Sequence, residues 1–369
     1  TRGNEARGIN TARHFAPGRQ RGCMMRITAV TCVKNEGPFL LEWIAFHRVL
    51  GGTDFLCYSN DCDDGTDDLL DALQSEGIVQ HLPNPATGRH YQMEALKDAV
   101  HHQVIQNADW IWVADVDEFL NIHVGNGTIP ELVEACGTPM AISVTFQFFS
   151  NDDVVDFADK PIIGQFLHSH NPDIWCDQFA IEVKTLTRRD FPLQYYGAHR
   201  PFFRKLLPRD QQPSWTDGSG RPVPPQFLTA ALKQSIRRFP AAGARNFATL
   251  NHYALRSMDS YLVKNARGDV NRENRAFDDL YWRERNDNGY FDDSILHYMP
   301  RLTAEIARLK ELPGIGALHA ETVRRHREKI ASLMTDKGYQ KLHHQLRNAS
   351  KIPPVEQDMM DRLFGSISE

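Results

Sequence analysis

The stretch from Arg26 to Val33, R-I-T-A-V-T-C-V, is apolar or β-branched at both parities, which predicts a strand covered on both faces and therefore central in a parallel sheet. Asn35-Glu36-Gly37-Pro38 interrupts it. Leu40, Trp43, Ile44, His47 and Leu50 then recur at helical spacing until Gly51-Gly52 stops the helix. The alternation continues with a strand over Asp54 to Ser59, a helix over Thr66 to Glu76 with Leu69, Leu70 and Leu73 on one face, and a strand over Ile78 to Leu82. A helix over Glu94 to Gln106 and a buried strand over Trp110 to Ala114 follow. Strands alternating with helices predict an α/β sheet with parallel strands and right-handed crossovers. Thr128-Ile129-Pro130-Glu131 is a capping box that opens a helix running to about Ala135, and Met140 to Phe149 predicts another strand. Beyond it the pattern decays. Glu182 to Thr187 and Ala248 to Asn251 look like strands separated by a Pro- and Gly-rich stretch, Leu207 to Pro225. Helical periodicity dominates from Ser257, most clearly in Leu302 to Leu312 and His319 to Met334, with a short last helix after Pro353-Pro354.

Composition narrows the class. With 369 residues, 41% hydrophobic and 24% charged, the chain has room for about two domains. Six cysteines without a C-x-x-C pair argue against a disulfide scaffold or a structural zinc. A net charge of -5 argues against bulk-charge binding to nucleic acid, and no run is apolar enough to predict a transmembrane helix. The expected setting is cytoplasmic, with peripheral attachment to the inner membrane face compatible with it. Residues 1–24 carry five arginines against Glu5 and no apolar period, so they read as a basic disordered tail or a leader.

Ligands of open α/β sheets bind beyond the carboxyl ends of the strands, and four polar clusters stand there: Lys34-Asn35-Glu36, Asn60 to Asp64, Asp115-Val116-Asp117-Glu118, and Ser150 to Asp153. Two carboxylates about 4 Å apart repel by roughly 4 kcal/mol at an effective dielectric near 20, and a divalent cation resolves the conflict. Asp115-Val116-Asp117 therefore suggests a Mn²⁺ or Mg²⁺ site, whose open positions suit substrate phosphates. The plainer alternative makes one Asp a turn cap. Asn35 is equally a candidate helix N-cap, and Asn60 to Asp64 a candidate Asx turn, with Asp61 the candidate acceptor of hydrogen bonds from a base or ribose.

Together V-K-N-E at 33–36, Y-S-N-D-C-D-D-G-T at 58–66 and A-D-V-D-E-F-L at 114–120 resemble a family 2-type glycosyltransferase of the GT-A fold. The resemblance is to a bacterial subgroup that also carries L-L-E-W-x-x-x-H-R, here Leu40 to Arg48, and it covers roughly Ile27 to Gly268. It implies a Rossmann-like mixed sheet over residues 25–268 and a mainly helical C-terminal region over 269–369. The implied activity is transfer of a sugar, with inversion, from a nucleoside diphosphate sugar, UDP-linked by preference, to a glycan, lipid-linked or other hydroxyl acceptor. Asp115, Asp117 and His252 would hold the metal. Lys34, Asn35, Glu36, Asp61, Asp115, Lys184, His199, Lys264 and Arg267 would hold the donor, with Lys264 and Arg267 as the cations facing its pyrophosphate. Asp152 is the candidate general base, with Asp153 and Asp177 as alternatives. The sequence departs from the subgroup at Ser150 to Asp153, where related chains more often read G-S-N-G or G-S-S-G. Two other readings stay open. One is a non-catalytic nucleotide-sugar-binding module; the other is a haloacid-dehalogenase-type phosphatase, whose Asp-x-Asp normally opens the domain, whereas three strands precede it here.

Overall fold

β1 (Ile27–Val33) occupies the central place its two-sided apolar pattern demands. It pairs in parallel with β2 (Asp54–Ser59), Val30 opposite Leu56; β2 pairs in parallel with β3 (Gln80–Pro83); and β4 (Trp110–Val113) flanks the other side of β1, Val113 opposite Val30. A computed structural model describes residues 24–88, 90–172, 182–203, 207–225, 228, 241–268, 277–352 and 354–365. The expected N-terminal tail lies outside the described residues apart from Met24, as does Asp177.

Helices connect these strands where the apolar spacing predicts them: α1 (Gly37–Val49), α2 (Thr66–Ser75), α3 (Tyr91–Ala99) and the single turn α4 (Gln103–Gln106). One helix was expected over 94–106. It divides because the chain turns at Val100–His102, where His102 is extended and donates its ring to Asp98 at 2.7 Å. The capping box at Thr128 forms and opens α5 (Ile129–Ala135).

The remaining strands are β5 (Glu118–Ile122), β6 (Ala141–Phe148), β7 (His168–Ser169), β8 (Val183–Arg188), β9 (Leu193–Tyr196), β10 (Pro201–Phe203), β11 (Trp215–Asp217), β12 (Ala248–His252) and β13 (Tyr290–Phe291). Among the described residues nine strands form one sheet, in the order β3-β2-β1-β4-β8-β6-β12-β5, with β11 alongside β6. The sheet is mixed, as the resemblance implied, and not wholly parallel as the alternation alone predicted. β8 runs antiparallel between β4 and β6, and β5 antiparallel to β12.

The C-terminal helices follow: α6 (Met258–Arg267), α7 (Asp279–Arg283), α8 (Met299–Lys310), α9 (Ile315–Leu333), α10 (Lys337–Arg347) and α11 (Pro354–Phe364). α8 and α9 pack on α1, which explains why every residue from Gly37 to His47 is buried. Leu302, Leu309 and Ile315 belong to the same apolar core as Ile27, Leu40 and Phe46. The L-L-E-W-x-x-x-H-R motif serves this packing. Glu42 accepts from the backbone N–H groups of Ile162 and Ile163, His47 accepts from the Trp112 indole at 3.2 Å, and Arg48 pairs with Glu305 of α8 at 2.5 Å. Among the described residues no helix is long and apolar enough to cross a membrane.

Candidate active site

Only residues 114–117 join β4 to β5, which lie far apart in the strand order, so the D-V-D segment crosses the open end of the sheet. The crossing is a tight turn: the Glu118 N–H donates to the Asp115 carbonyl, and the Asp115 N–H donates to the Glu118 carboxylate. It is tied to the strand it approaches by the Tyr253 N–H, which donates to the Asp117 carbonyl at 2.8 Å.

The two aspartates face different cations. Asp115 Oδ2 lies 3.0 Å from Lys184 Nζ, and Oδ1 accepts from Gln92 Nε2 at 2.8 Å. Lys184, on β8, is fully buried and also meets Glu118 at 3.1 Å. Burial disfavours its charge, but the two carboxylates outweigh burial and raise its pKa. Burial holds the Glu118 carboxyl well above the usual carboxylate range despite Lys184, and the neighbouring aspartates push the same way. Asp117 Oδ2 accepts from Lys264 Nζ of α6 at 2.9 Å, and Oδ1 lies 3.4 Å from His252 Nε2 at the end of β12. Burial would raise its pKa, yet Lys264 and His252 keep it well below the usual range. His252 sits between Phe146 and Phe148, with ring centroids 5.2 and 4.9 Å away; burial lowers its pKa although Asp117 acts in the opposite direction, and among the described residues Nδ1 has no hydrogen-bond partner.

A second ionic centre adjoins the first. Glu36 is buried between Arg256 at 2.7 Å and Arg267 at 2.5 Å, and these guanidinium groups more than offset the effect of burial, so its pKa is lowered. Arg267 also donates to the Lys34 and Asn35 carbonyls, at 2.6 and 3.2 Å. Arg256 takes a left-handed backbone (φ +57°) and lies 3.7 Å over the Phe39 ring. Glu36 thus positions two arginines. α6 carries Lys264 to Asp117 and, one turn later, Arg267 to Glu36, so a single helix joins both centres.

Asn35 is not the side-chain cap of α1. From a left-handed backbone (φ +53°) it exchanges two hydrogen bonds with Asp63, at 2.6 and 2.8 Å, clasping the loops after β1 and β2. Asp64 supplies the bond to the helix start, accepting from Gly37 N–H at 3.1 Å. Asp61 is exposed and 3.8 Å from Lys34. His199 holds the Val183 carbonyl at 3.2 Å and lies 3.7 Å from Glu182.

Asp152 has another task than the one expected of it. Its carboxylate accepts from Leu167 N–H at 2.6 Å, His168 N–H at 3.2 Å and the Ser150 hydroxyl at 2.8 Å, with the His168 ring at 3.2 Å. These bonds make the carboxylate a clamp on its own loop. Asp153 pairs with Lys351 at 2.5 Å. Three participants were missed in the sequence. Glu118 stands inside the D-V-D-E run and could have been read from it; Gln92 and Arg256 carry no local signal, since one reaches in from a helix and the other depends on an unusual φ.

Residues 28–182 match the family model "Glycosyltransferase family 92". The match takes in β1 through β7 and contains the whole D-V-D-E segment, but it ends before Lys184, His252 and α6. A glycosyltransferase family 92 protein of Oryza sativa subsp. japonica is 26% identical over 110 residues, 28% of this chain and 17% of that protein. One from Ricinus communis is 30% identical over 112 residues, 28% of this chain and 18% of that protein. The alignments therefore span less than a fifth of these curated relatives. Among solved structures, residues 1–349 of S. aureus TarS superimpose loosely, with a TM-score of 0.30 and 8% identity over 92% of each chain. The chain is thus similar to glycosyltransferases, as its motifs suggested, although the matching family is 92 and the family 2-type subgroup does not follow from the match.

The expected metal ligands divide unevenly. Among the described residues no three His, Cys, Asp or Glu side chains converge as a ready cage. Asp117 and His252 do face each other at 3.4 Å, and a carboxylate with an imidazole, completed by phosphate oxygens, suits Mn²⁺ or Mg²⁺. Asp115 faces away from that pair toward other partners, with Gln92 on one of its oxygens and Lys184 on the other.

Proposed function

We propose that the chain is a glycosyltransferase that moves a sugar from a nucleoside diphosphate sugar, UDP-linked by preference, to a hydroxyl of a glycan or lipid-linked acceptor. The observation that carries this reading is Asp117. It lies at the sheet crossover with His252 on one side and Lys264 on the other, inside a segment similar to glycosyltransferases. Asp117 and His252 are the residues that would hold Mn²⁺ or Mg²⁺, which when bound neutralises charge on the leaving diphosphate. Lys264 and Arg267, one helical turn apart, extend the same positive field toward that diphosphate, and they are fixed beforehand by Asp117 and Glu36, so little reorganisation accompanies the reaction. Lys184 holds Asp115 in place beside them. The acceptor-side loop is set by Asp152 through its bonds to residues 167 and 168.

The test is turnover on a panel of nucleotide sugars with Mn²⁺, read as release of the nucleoside diphosphate. Asp117→Asn is expected to lower the rate by about 10²-fold or more, in the range found for loss of one preorganised electrostatic group. Undiminished release by a folded Asp117→Asn enzyme would sink the proposal. For the metal, Mn²⁺ binding followed by electron paramagnetic resonance in the presence of the nucleoside diphosphate should weaken in His252→Ala; equal binding would remove His252 from the site.

A further inference from the structure

The loops after β1 and β2 are roofed by the C-terminal helix α9. A methyl group placed on Gly37 would meet the Thr322 side chain at 2.6 Å, and one placed on Gly65 (φ +89°) would come within 3.4 Å of Thr322 and 3.6 Å of the Arg325 guanidinium. Two glycines, one at each strand-end loop, therefore let α9 approach the backbone that the donor-binding expectation singled out. Between them lies a cavity of about 510 Å³, within the ordinary range for small-molecule sites. It is lined by Lys34 and Asn35 after β1, by Asp61, Asp63 and Asp64 after β2, by Arg267 of α6, and by Arg325, Glu328, Lys329 and Ser332 of α9. Arg267 connects this cavity to the D-V-D centre, because it grips Glu36 while Lys264, three residues earlier on α6, grips Asp117.

We infer that α9 is part of the donor site: it closes the cavity over a bound nucleoside diphosphate, with Lys329 facing its negative charge. The inference rests on the donor reading above and deepens it, since it makes the C-terminal helical region a wall of the donor pocket. The chemistry suits such a ligand. Asn35 and Asp61 offer amide and carboxylate groups to a base or ribose; the cations Lys34, Arg267, Arg325 and Lys329 share the lining with the acids Asp63, Asp64 and Glu328, and because Arg267 and Arg325 are already paired with Glu36 and Glu321, Lys329 is the α9 cation that the proposal assigns to the diphosphate. Lys329 and Ser332 are exposed, so changing them leaves the core untouched.

The experiment measures binding of UDP, GDP, ADP and dTDP, each with Mn²⁺, by calorimetry to the full chain, and maps protection by hydrogen exchange. The expected result is tenfold or greater weakening of the tightest of these ligands in both Lys329→Glu and Ser332→Trp, with thermal unfolding unchanged. Slowed exchange in residues 322–333 together with 33–37 should accompany binding to the wild-type chain. If a nucleoside diphosphate binds, protects residues 33–37 or 114–118 and leaves α9 and both variants unaffected, the role of α9 is overturned while the donor reading stands. If none of the four binds the wild-type chain, the donor reading itself fails and this inference with it.

Discussion

Lys184 shows what a single buried charge does at this site. It has no exposed surface and faces two carboxylates, Asp115 at 3.0 Å and Glu118 at 3.1 Å, so its ammonium is the counter-charge that lets the D-V-D-E turn close. Removing one member of a buried ionic group leaves the others unpaired, typically at a cost of about 3–5 kcal/mol. Lys184→Met should therefore lower stability by about that amount in chemical denaturation. Adding Glu118→Gln, which removes one of the stranded carboxylates, should recover part of the loss. A Lys184→Met chain as stable as wild type would show that water reaches the turn and screens it. Asp115 and Asp117 were legible as a pair from their spacing after an apolar strand. Their different partners were not, because Lys184 comes from β8 and Lys264 from α6, 69 and 147 residues away along the chain. Asp152 is a related case: a carboxylate at a strand end is just as well suited to clamp a loop as to take a proton, and its bonds to Leu167 and His168, which show the clamp, join residues 15 and 16 apart in the chain.

At the scale of elements, α1 carries the longest unbroken buried face, and one acid sits within it. Glu42 is 6% exposed, and burial raises its pKa to about 7, although the Ile162 and Ile163 amides and Arg256 act in the opposite direction. A carboxyl whose folded-state pKa exceeds its unfolded value contributes stability that is fully present below the unfolded value, near 4.5, and is lost as pH rises through about 7. The loss is on the order of 3 kcal/mol across that window. Glu42→Gln keeps an acceptor for the 162–163 turn and removes the titration, so the difference in stability between pH 4.5 and 7 should shrink in the variant; an unchanged slope would place the pH dependence elsewhere. The early strands and helices were legible because each hydrophobic period is complete within its own segment. β5 was not, since E-F-L-N-I directly continues the acidic turn without a breaker, and β9, β10 and β11 are three or four residues long and shape no period of their own.

The whole molecule is organised around a helix that is covered twice. Toward the sheet, the Trp43 ring of α1 lies 6.0 Å from Phe55 of β2; on its outer side α1 meets α8 and α9, and Phe46 touches Tyr298 at 5.0 Å between ring centroids while Arg48 reaches Glu305. The sequence suggested a catalytic region ending near residue 268 and a separate helical region after it, because helical periodicity begins near there. Packing runs across that point. Tyr298, Leu302, Leu309 and Ile315 are fully buried in the core that contains β1, and the Tyr298 hydroxyl donates to the Gly127 carbonyl at 2.9 Å, next to the start of α5. A chain cut after residue 268 would expose the outer face of α1, including Phe39 and Phe46, at roughly 1.5–3 kcal/mol for each large side chain returned to water. Native stability is only about 5–15 kcal/mol, so loss of a few such contacts removes most of it. The 24–268 fragment should accordingly lack a cooperative thermal transition and bind a hydrophobic dye, whereas a chain ending at 352, which keeps α8 to α10 and drops only α11, should unfold cooperatively close to the full-length temperature. A 24–268 fragment that melted sharply at the full-length temperature would show that α8 and α9 rest on a core already sufficient without them.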